Sequence, residues 1–312
     1  MNFRGHEVDI PELGFLGACA DVDGYEKLSR VGEGTYGIVY KARETRTGRI
    51  VALKRMRTEE HGLPLSSFRE IALLKRLKHA NIVDVLDVVG GHSLESIFMV
   101  MEFCDNDLGT MLDSMDTPFA AGKVRDIMRQ LLSGLAYCHE NHVVHRDLKL
   151  ANVLMTRVGA VKIADFGMAR VFHEGRPMTP HVATLWYRAP ELLLGAAEYT
   201  AAVDMWSAGC IFGELLVHRP FMAGRTEQEQ EQMRLIAETI GTPNERIWPG
   251  FSRLPLAQRM RMPDCRYNKL KLILRGAGTD TVLLLNSMLT YAPAKRIGAQ
   301  RARAHAYFGR EE

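Results

Sequence analysis

The stretch His145-Arg146-Asp147-Leu148-Lys149-Leu150-Ala151-Asn152 carries a carboxylate, a lysine two residues on and an amide five residues on. Phosphoryl transfer asks a protein for little covalent chemistry. It needs a carboxylate to receive the proton of the attacking hydroxyl, ligands for a metal ion, and cations to spread the charge on the phosphoryl oxygens. Asp147 suits the first role, Asn152 the second and Lys149 the third. Further on, Asp165-Phe166-Gly167 offers a second metal ligand in Asp165, with Gly167 supplying backbone freedom. Upstream, Gly32-Glu33-Gly34-Thr35-Tyr36-Gly37-Ile38-Val39 fits G-x-G-x-x-G-x-V, and Val51-Ala52-Leu53-Lys54 ends in a lysine suited to nucleotide phosphates. The parts appear in the order that this chemistry requires.

Each motif has a plainer rival. A bare GxGxxG also opens dinucleotide-binding folds, but those need a helix directly after the glycines. Here Ile38 and Val39 follow, so the loop joins two strands and its glycines let backbone approach phosphate. Taken alone, Lys54 is a snorkelling surface residue; behind a glycine hairpin it becomes a phosphate ligand that needs a carboxylate to position it. Glu70, early in the following helix, is the candidate partner, its plain reading being a helix-face carboxylate. Cys138-His139-Glu140-Asn141-His142-Val143 resembles a zinc motif, but HExxH needs its second His where Val143 stands.

The elements that must position these residues are legible from pattern. Tyr25–Leu28, Ile38–Ala42 and Ile50–Arg55 alternate as strands, with a turn at Thr47-Gly48. Ile71, Leu74 and Leu77 recur at helical spacing, so the sequence predicts a helix over 64–77. Apolar strands follow around 83–89 and 96–103, then polarity rises at Cys104-Asp105-Asn106-Asp107. This places a lobe boundary there. Beyond it, 119–141 and 201–217 read as helices, and 153–155 with 161–163 as a short hairpin delivering Asp165. Residues 168–188, with Gly175, Pro177 and Pro180, read as a mobile segment closed by Ala189-Pro190-Glu191. The expected division is an extension over 1–24, a small β-rich lobe over 25–103, a mostly helical lobe over 104–308 and a tail over 309–312.

With 312 residues, the chain has room for about two ordinary domains. Its 46% apolar and 25% charged residues are those of a globular protein. The net charge of +3 is mild, and no basic run suggests nucleic-acid binding. Five scattered cysteines without CxxC spacing favour reduced thiols in a cytosolic or nuclear compartment. Ala18-Cys19-Ala20 looks like a signal-peptidase site, but Glu7, Asp9 and Glu12 precede only a short apolar run, so we read no signal peptide and no membrane partner.

From Tyr25 to Phe308 the chain resembles a eukaryotic protein kinase, and Lys149 after Asp147 matches the serine/threonine pattern. Gly32–Gly37, the helix segment PLSSFRE at 64–70 and Thr184-Leu185-Trp186-Tyr187-Arg188-Ala189-Pro190-Glu191 resemble the cyclin-dependent kinases, in their PISSLRE/PITSLRE branch. The resemblance implies an α+β, bilobal fold. It also implies a Mg2+- and ATP-dependent transferase acting on proteins at Ser/Thr-Pro, a cyclin subunit, work in the nucleus or cytoplasm, and a role in cell cycle or transcription. It carries nucleotide contacts onto Val31, Gly32, Glu33, Gly34, Thr35, Tyr36, Gly37, Val39, Ala52, Lys54, Met101, Glu102, Cys104, Asp107, Asn152, Leu154 and Asp165. Thr179 matches an activating phosphothreonine, and Arg69, Arg146 and Arg170 the arginines that gather on it. A phosphate adds about −1.5 to −2 charges and can order a loop opposite such a cluster. Thr35 and Tyr36 match inhibitory phosphorylation sites, Arg188 the feature favouring proline after the acceptor, and Glu191 with Arg296 an ion pair inside the large lobe. The helix over 64–77 matches the cyclin-docking element.

Four places depart from the family: Phe68 replaces a Leu of the docking helix, Ala292 an Asp, Arg303 an apolar residue, and 226–233 is rich in Glu and Gln. Two rival readings stand beside the enzyme: a partner-binding pseudokinase, opposed by Lys54, Asp147, Asn152 and Asp165 all being present, and a nicotinamide-dependent oxidoreductase, opposed by the strand after Gly37.

Overall fold

The structure is a computed structural model that describes residues 20–34, 37–57, 64–91, 96–172, 178–179 and 184–309. The chain falls into two compact units, Met1–Ile71 with Val85–Phe103, and Ala72–Asp84 with Cys104–Glu312. The first is built on one sheet and the second is mostly helical, an α+β fold.

In the first unit the strands are β1 (Ala20–Asp21), β2 (Tyr25–Gly34), β3 (Gly37–Glu44), β4 (Ile50–Met56), β5 (Val85–Gly90) and β6 (Ile97–Glu102), with helix α1 (Leu65–Arg76) starting after β4. Their order across the sheet is β1-β5-β6-β4-β3-β2. The pairs are antiparallel except β1 on β5, which is parallel, matching Ala20 to Val89 and Asp21 to Gly90. Strand side chains alternate between faces, so directly paired residues share a face. One face carries Ala42, Val51, Leu53, Phe98 and Val100, which join Val22 and Val89 in the core of this unit. The register leaves Val39, Ala52, Lys54, Met99 and Met101 on the other face, with Lys54 opposite Val39 and Met99, and Ala52 opposite Met101. The hairpin between β2 and β3 closes on Gly34 and Gly37. Gly37 sits at φ 140°, and a Cβ there would lie 1.9 Å from the carbonyl oxygen of Arg55, so only glycine fits.

In the second unit β7 (Asn106–Asp107) leads into α2 (Leu108–Ser114), whose first turn Asp107 caps by accepting from the Thr110 N–H at 2.8 Å. The long helix α3 (Ala121–Glu140) buries Val124, Ile127, Leu131, Leu132 and Leu135 at helical spacing. After it come β8 (Val143–Val144), β9 (Val153–Met155), β10 (Val161–Ile163) and β11 (Arg170–Val171), giving one sheet ordered β10-β9-β7 and one pairing β11 with β8. Helices α4 (Pro190–Leu193), α5 (Ala202–Val217), α6 (Glu229–Ile240), α7 (Leu270–Ile273), α8 (Thr279–Met288) and α9 (Ala299–Arg303) complete it. α5 is buried on almost every face and packs on α3 and α8. Glu191 and Arg296 form a bidentate pair at 2.8 Å and 2.8 Å inside this unit. A buried ion pair needs such geometry to offset the desolvation of its charges. Among the described residues no helix is long and apolar enough to cross a membrane.

Candidate active site

In the first unit Lys54 and Glu70 are both buried, and Lys54 Nζ donates to Glu70 Oε1 at 2.6 Å. β4 sets the lysine and α1 the glutamate. The pair brings one of the predicted phosphate ligands to the face of the sheet that also carries Val39, Ala52 and Met101. Val31 lies where β2 and β3 slip register between Arg30 and Gly32, a bulge that leaves it half exposed. Glu102 pairs with Val51 on β4. Thr35 and Tyr36 lie outside the described residues, and Gly32, Glu33 and Gly34 form the end of β2.

In the second unit the loop after β8 is drawn tight around Asp147. Its carboxylate accepts from Lys149 Nζ at 3.1 Å, from Asn152 Nδ2 at 3.2 Å, and from the backbone N–H and hydroxyl of Thr184 at 3.1 Å and 3.2 Å. Lys149 Nζ also reaches the Thr184 hydroxyl at 3.1 Å. A carboxylate, an ammonium and a hydroxyl thus converge on one point. Arg146 holds this loop in a left-handed conformation at φ 69°, a strain on the order of 1–3 kcal/mol that surrounding structure must over-determine. Asp204 of α5 does so: its carboxylate accepts from the backbone N–H groups of His145 and Arg146, each at 2.9 Å, and faces His139 Nε2 at 2.9 Å. Burial alone would raise the Asp204 carboxyl, but the hydrogen bond and charge of His139, with His145 and the Arg146 amide, hold it below its ordinary value.

Asn152 and Asp165 stand at the two ends of one hairpin. Asn152 directly precedes β9, and Asp165 follows β10 by one residue, with Val153 paired to Ile163 at the base. The backbone N–H of Ala164 donates to the Asn152 carbonyl at 2.9 Å, while His145 Nε2 donates to the Ala164 carbonyl at 2.9 Å. Asn152 spends its amide nitrogen on Asp147, at 2.7 Å to the carbonyl and 3.2 Å to the carboxylate, which leaves its side-chain oxygen for a cation. One carboxylate and one amide oxygen make a hard donor set, which fits a magnesium ion sharing its remaining ligands with substrate phosphates. Leu154 on β9 pairs with Asp107 and Lys162, and Cys104 is buried.

The predicted phosphate-receiving residues are partly brought together. Arg146 donates to the Met168 carbonyl at 2.7 Å and to the Tyr199 hydroxyl at 2.8 Å, and that hydroxyl donates to the carbonyl of exposed Thr179 at 2.8 Å. The charge of Arg170 also reaches Tyr199. Arg69 is exposed on α1 in the other unit. Arg188 pairs with Glu229 of α6 at 2.6 Å.

Sequence reasoning assigned no role to Thr184, Tyr199 or Asp204. Threonine and tyrosine carry no signal by type. Asp204 did: a carboxylate inside a mostly apolar helix is buried only with partners.

The protein kinase domain family matches residues 25–308. Cyclin-dependent kinase 10 of Mus musculus is 50% identical over 302 residues, covering 96% of this chain and 83% of its own length. The Homo sapiens form gives the same figures. Cyclin-dependent kinase 11B of Rattus norvegicus is 45% identical over 310 residues, covering 96% of this chain and 70% of its own. A carboxylate met by a lysine and a threonine, a hairpin carrying an amide and a carboxylate at its two ends, and a buried lysine–glutamate pair thus coincide with a family match over residues 25–308: the chain belongs to the protein kinase family, in its cyclin-dependent branch, and is a serine/threonine protein kinase.

Proposed function

We propose that the enzyme, bound to a cyclin, transfers the γ-phosphoryl group of Mg-ATP to a serine or threonine hydroxyl followed by proline. The observation that supports this most is the convergence of Lys149 and Thr184 on the Asp147 carboxylate. The substrate oxygen forms its bond to phosphorus as the bond to the ADP oxygen breaks, and the hydroxyl proton passes to Asp147. Lys149 lies beside Asp147, where negative charge on the transferring group is offset at least cost in reorganisation. Lys54, oriented by Glu70, steadies the nucleotide phosphates. Asn152 and Asp165 would hold magnesium, whose charge screens the phosphate oxygens when bound.

The cyclin reading draws on the names of the relatives and on α1, where Leu65 and Phe68 are 66% and 56% exposed. The preference for proline draws on Arg188. Phosphorylation of Thr179 would place a dianion beside the Arg146–Tyr199 pair, with Arg170 near. The nucleus or cytoplasm is the place of work that the cysteine pattern favours. The test is ³²P transfer from ATP to paired Ser-Pro and Ser-Ala peptides with a cyclin present. The intact enzyme should label the first in preference, and Asp147→Asn should lose about 10²–10⁴-fold in kcat. Retained activity in that variant, or equal labelling of both peptides, would remove the role of Asp147 or the proline preference respectively.

A further inference from the structure

The hairpin that carries Asn152 and Asp165 is short. β10 has three residues and pairs with β9 along one edge only. Three residues pairing on one side make a weak element. Its other edge is met by the segment that follows α1. Ile82 bridges Ile163 in parallel, the Ile163 N–H donates to the Asn81 carbonyl at 2.9 Å, and the Val83 N–H donates to the Ile163 carbonyl at 2.9 Å.

Two side chains complete the contact. Asn81, buried, donates through Nδ2 to the Val161 carbonyl at 2.9 Å and to Gln130 Oε1 at 3.0 Å. Gln130, on α3, accepts the Val161 N–H at 2.9 Å and donates to the Gly159 carbonyl at 3.1 Å. β10 is therefore held at its start by both side chains and at its end by the Asn81 backbone. The helix makes room for this. A Cβ on Gly134 would lie 2.8 Å from the Asn81 carbonyl oxygen and 2.8 Å from Ile163 Cδ1, so α3 is bare where the clip and the strand approach it.

We propose that Asn81 and Gln130 are positioning residues for the metal: by clamping the outer edge of β10 they set the spacing between Asn152 and Asp165. The proposal rests on the reading of those two residues as magnesium ligands. The physical reason is that a small, hard cation tolerates little error in ligand placement. The ligands leave the hairpin from its two strands, next to the Val153–Ile163 pair, so freedom at Ile163 becomes freedom of Asp165. Groups that only orient metal ligands commonly change metal affinity 10–100-fold when removed.

The experiment follows binding of an N-methylanthraniloyl-ADP probe to the full chain by fluorescence, in EDTA and across a MgCl2 titration. Asn81→Ala should raise the half-saturating Mg2+ concentration about 10-fold, while the metal-free affinity for the probe stays within about twofold of the intact chain. Gly134→Ala, which keeps every polar group but pushes on Asn81 and Ile163, should shift it in the same direction. If Asn81→Ala yields no folded protein, Gln130→Leu is read in its place. A folded variant with an unchanged Mg2+ half-point overturns the proposal even if its melting temperature has fallen, because the clip would then be a fold contact only. Equal losses with and without metal overturn it as well. Asp165→Ala separates the two layers: if it keeps the Mg2+ response of the intact chain, the metal-site reading itself falls, and the clip's role with it.

Discussion

Thr184 gives Asp147 two of its hydrogen bonds and Lys149 one, although nothing in its type advertises a role. The backbone N–H bond survives any substitution but proline, whereas the hydroxyl bonds need a hydroxyl-bearing side chain. Thr184→Ser should therefore keep most of the turnover, and Thr184→Val should lower kcat about 10–100-fold with little change in the KM for ATP. Steady-state kinetics on a protein substrate would check this, and a loss in Thr184→Ser with Thr184→Val left intact would mean that the threonine methyl, not the hydroxyl, matters. At this scale the sequence was informative where chemistry selects a rare arrangement. Asp147, Lys149, Asn152 and Asp165 stand out because carboxylate, ammonium and amide recur at set distances. Tyr199 is different: its contact with Arg146 spans loops remote in sequence, and no local spacing encodes it.

Strands and helices depend on a small number of backbone requirements that single substitutions can break. Gly37 is one, since its φ of 140° and the Arg55 carbonyl leave no space for a methyl group. Gly37→Ala should force the β3–β4 hairpin apart beside Arg55 and weaken nucleotide binding, with a stability loss of about 1–3 kcal/mol. Isothermal titration with ATP and urea melts would measure the two effects, and a fully stable Gly37→Ala chain would show that the hairpin can relax. Most elements could be read beforehand because their patterns are long. β4 was expected over 50–55 and spans Ile50–Met56; the hairpin of β9 and β10 was expected over the residues it occupies. β1, β7, β8 and β11 have two residues each, too short for any alternation to register, and long-range pairing alone creates them. The segment Ala72–Asp84 is a subtler case. It begins inside α1, at Ala72, but packs with the second unit, because the polar side chain of Asn81 and the backbone around it find their partners on β10 and α3.

For the molecule as a whole, one buried acid makes stability depend on pH. Glu214 of α5 is 3% exposed. Burial pushes its carboxyl up to about 7, although the Tyr187 hydroxyl and the Phe221 amide pull it down, and the charge of Asp113 adds to the rise. The folded chain keeps a proton that the unfolded chain releases near 4.5. Between those values the native state binds more protons, so stability falls as pH climbs through the window and levels off above it. Urea denaturation should show a loss on the order of 3 kcal/mol from pH 5 to pH 8 that is absent in Glu214→Gln. Identical pH profiles for the two proteins would refute the assignment.

The parallel pairing of Ala20 and Asp21 with Val89 and Gly90 has its own result for solution behaviour. A sheet margin with unsatisfied amides invites strands from neighbouring molecules. A chain cut back to Val22 would uncover that margin, and light scattering at raised concentration should reveal self-association that the intact chain resists. Those few residues serve as a selvedge, keeping the fabric of one molecule from being stitched to the next.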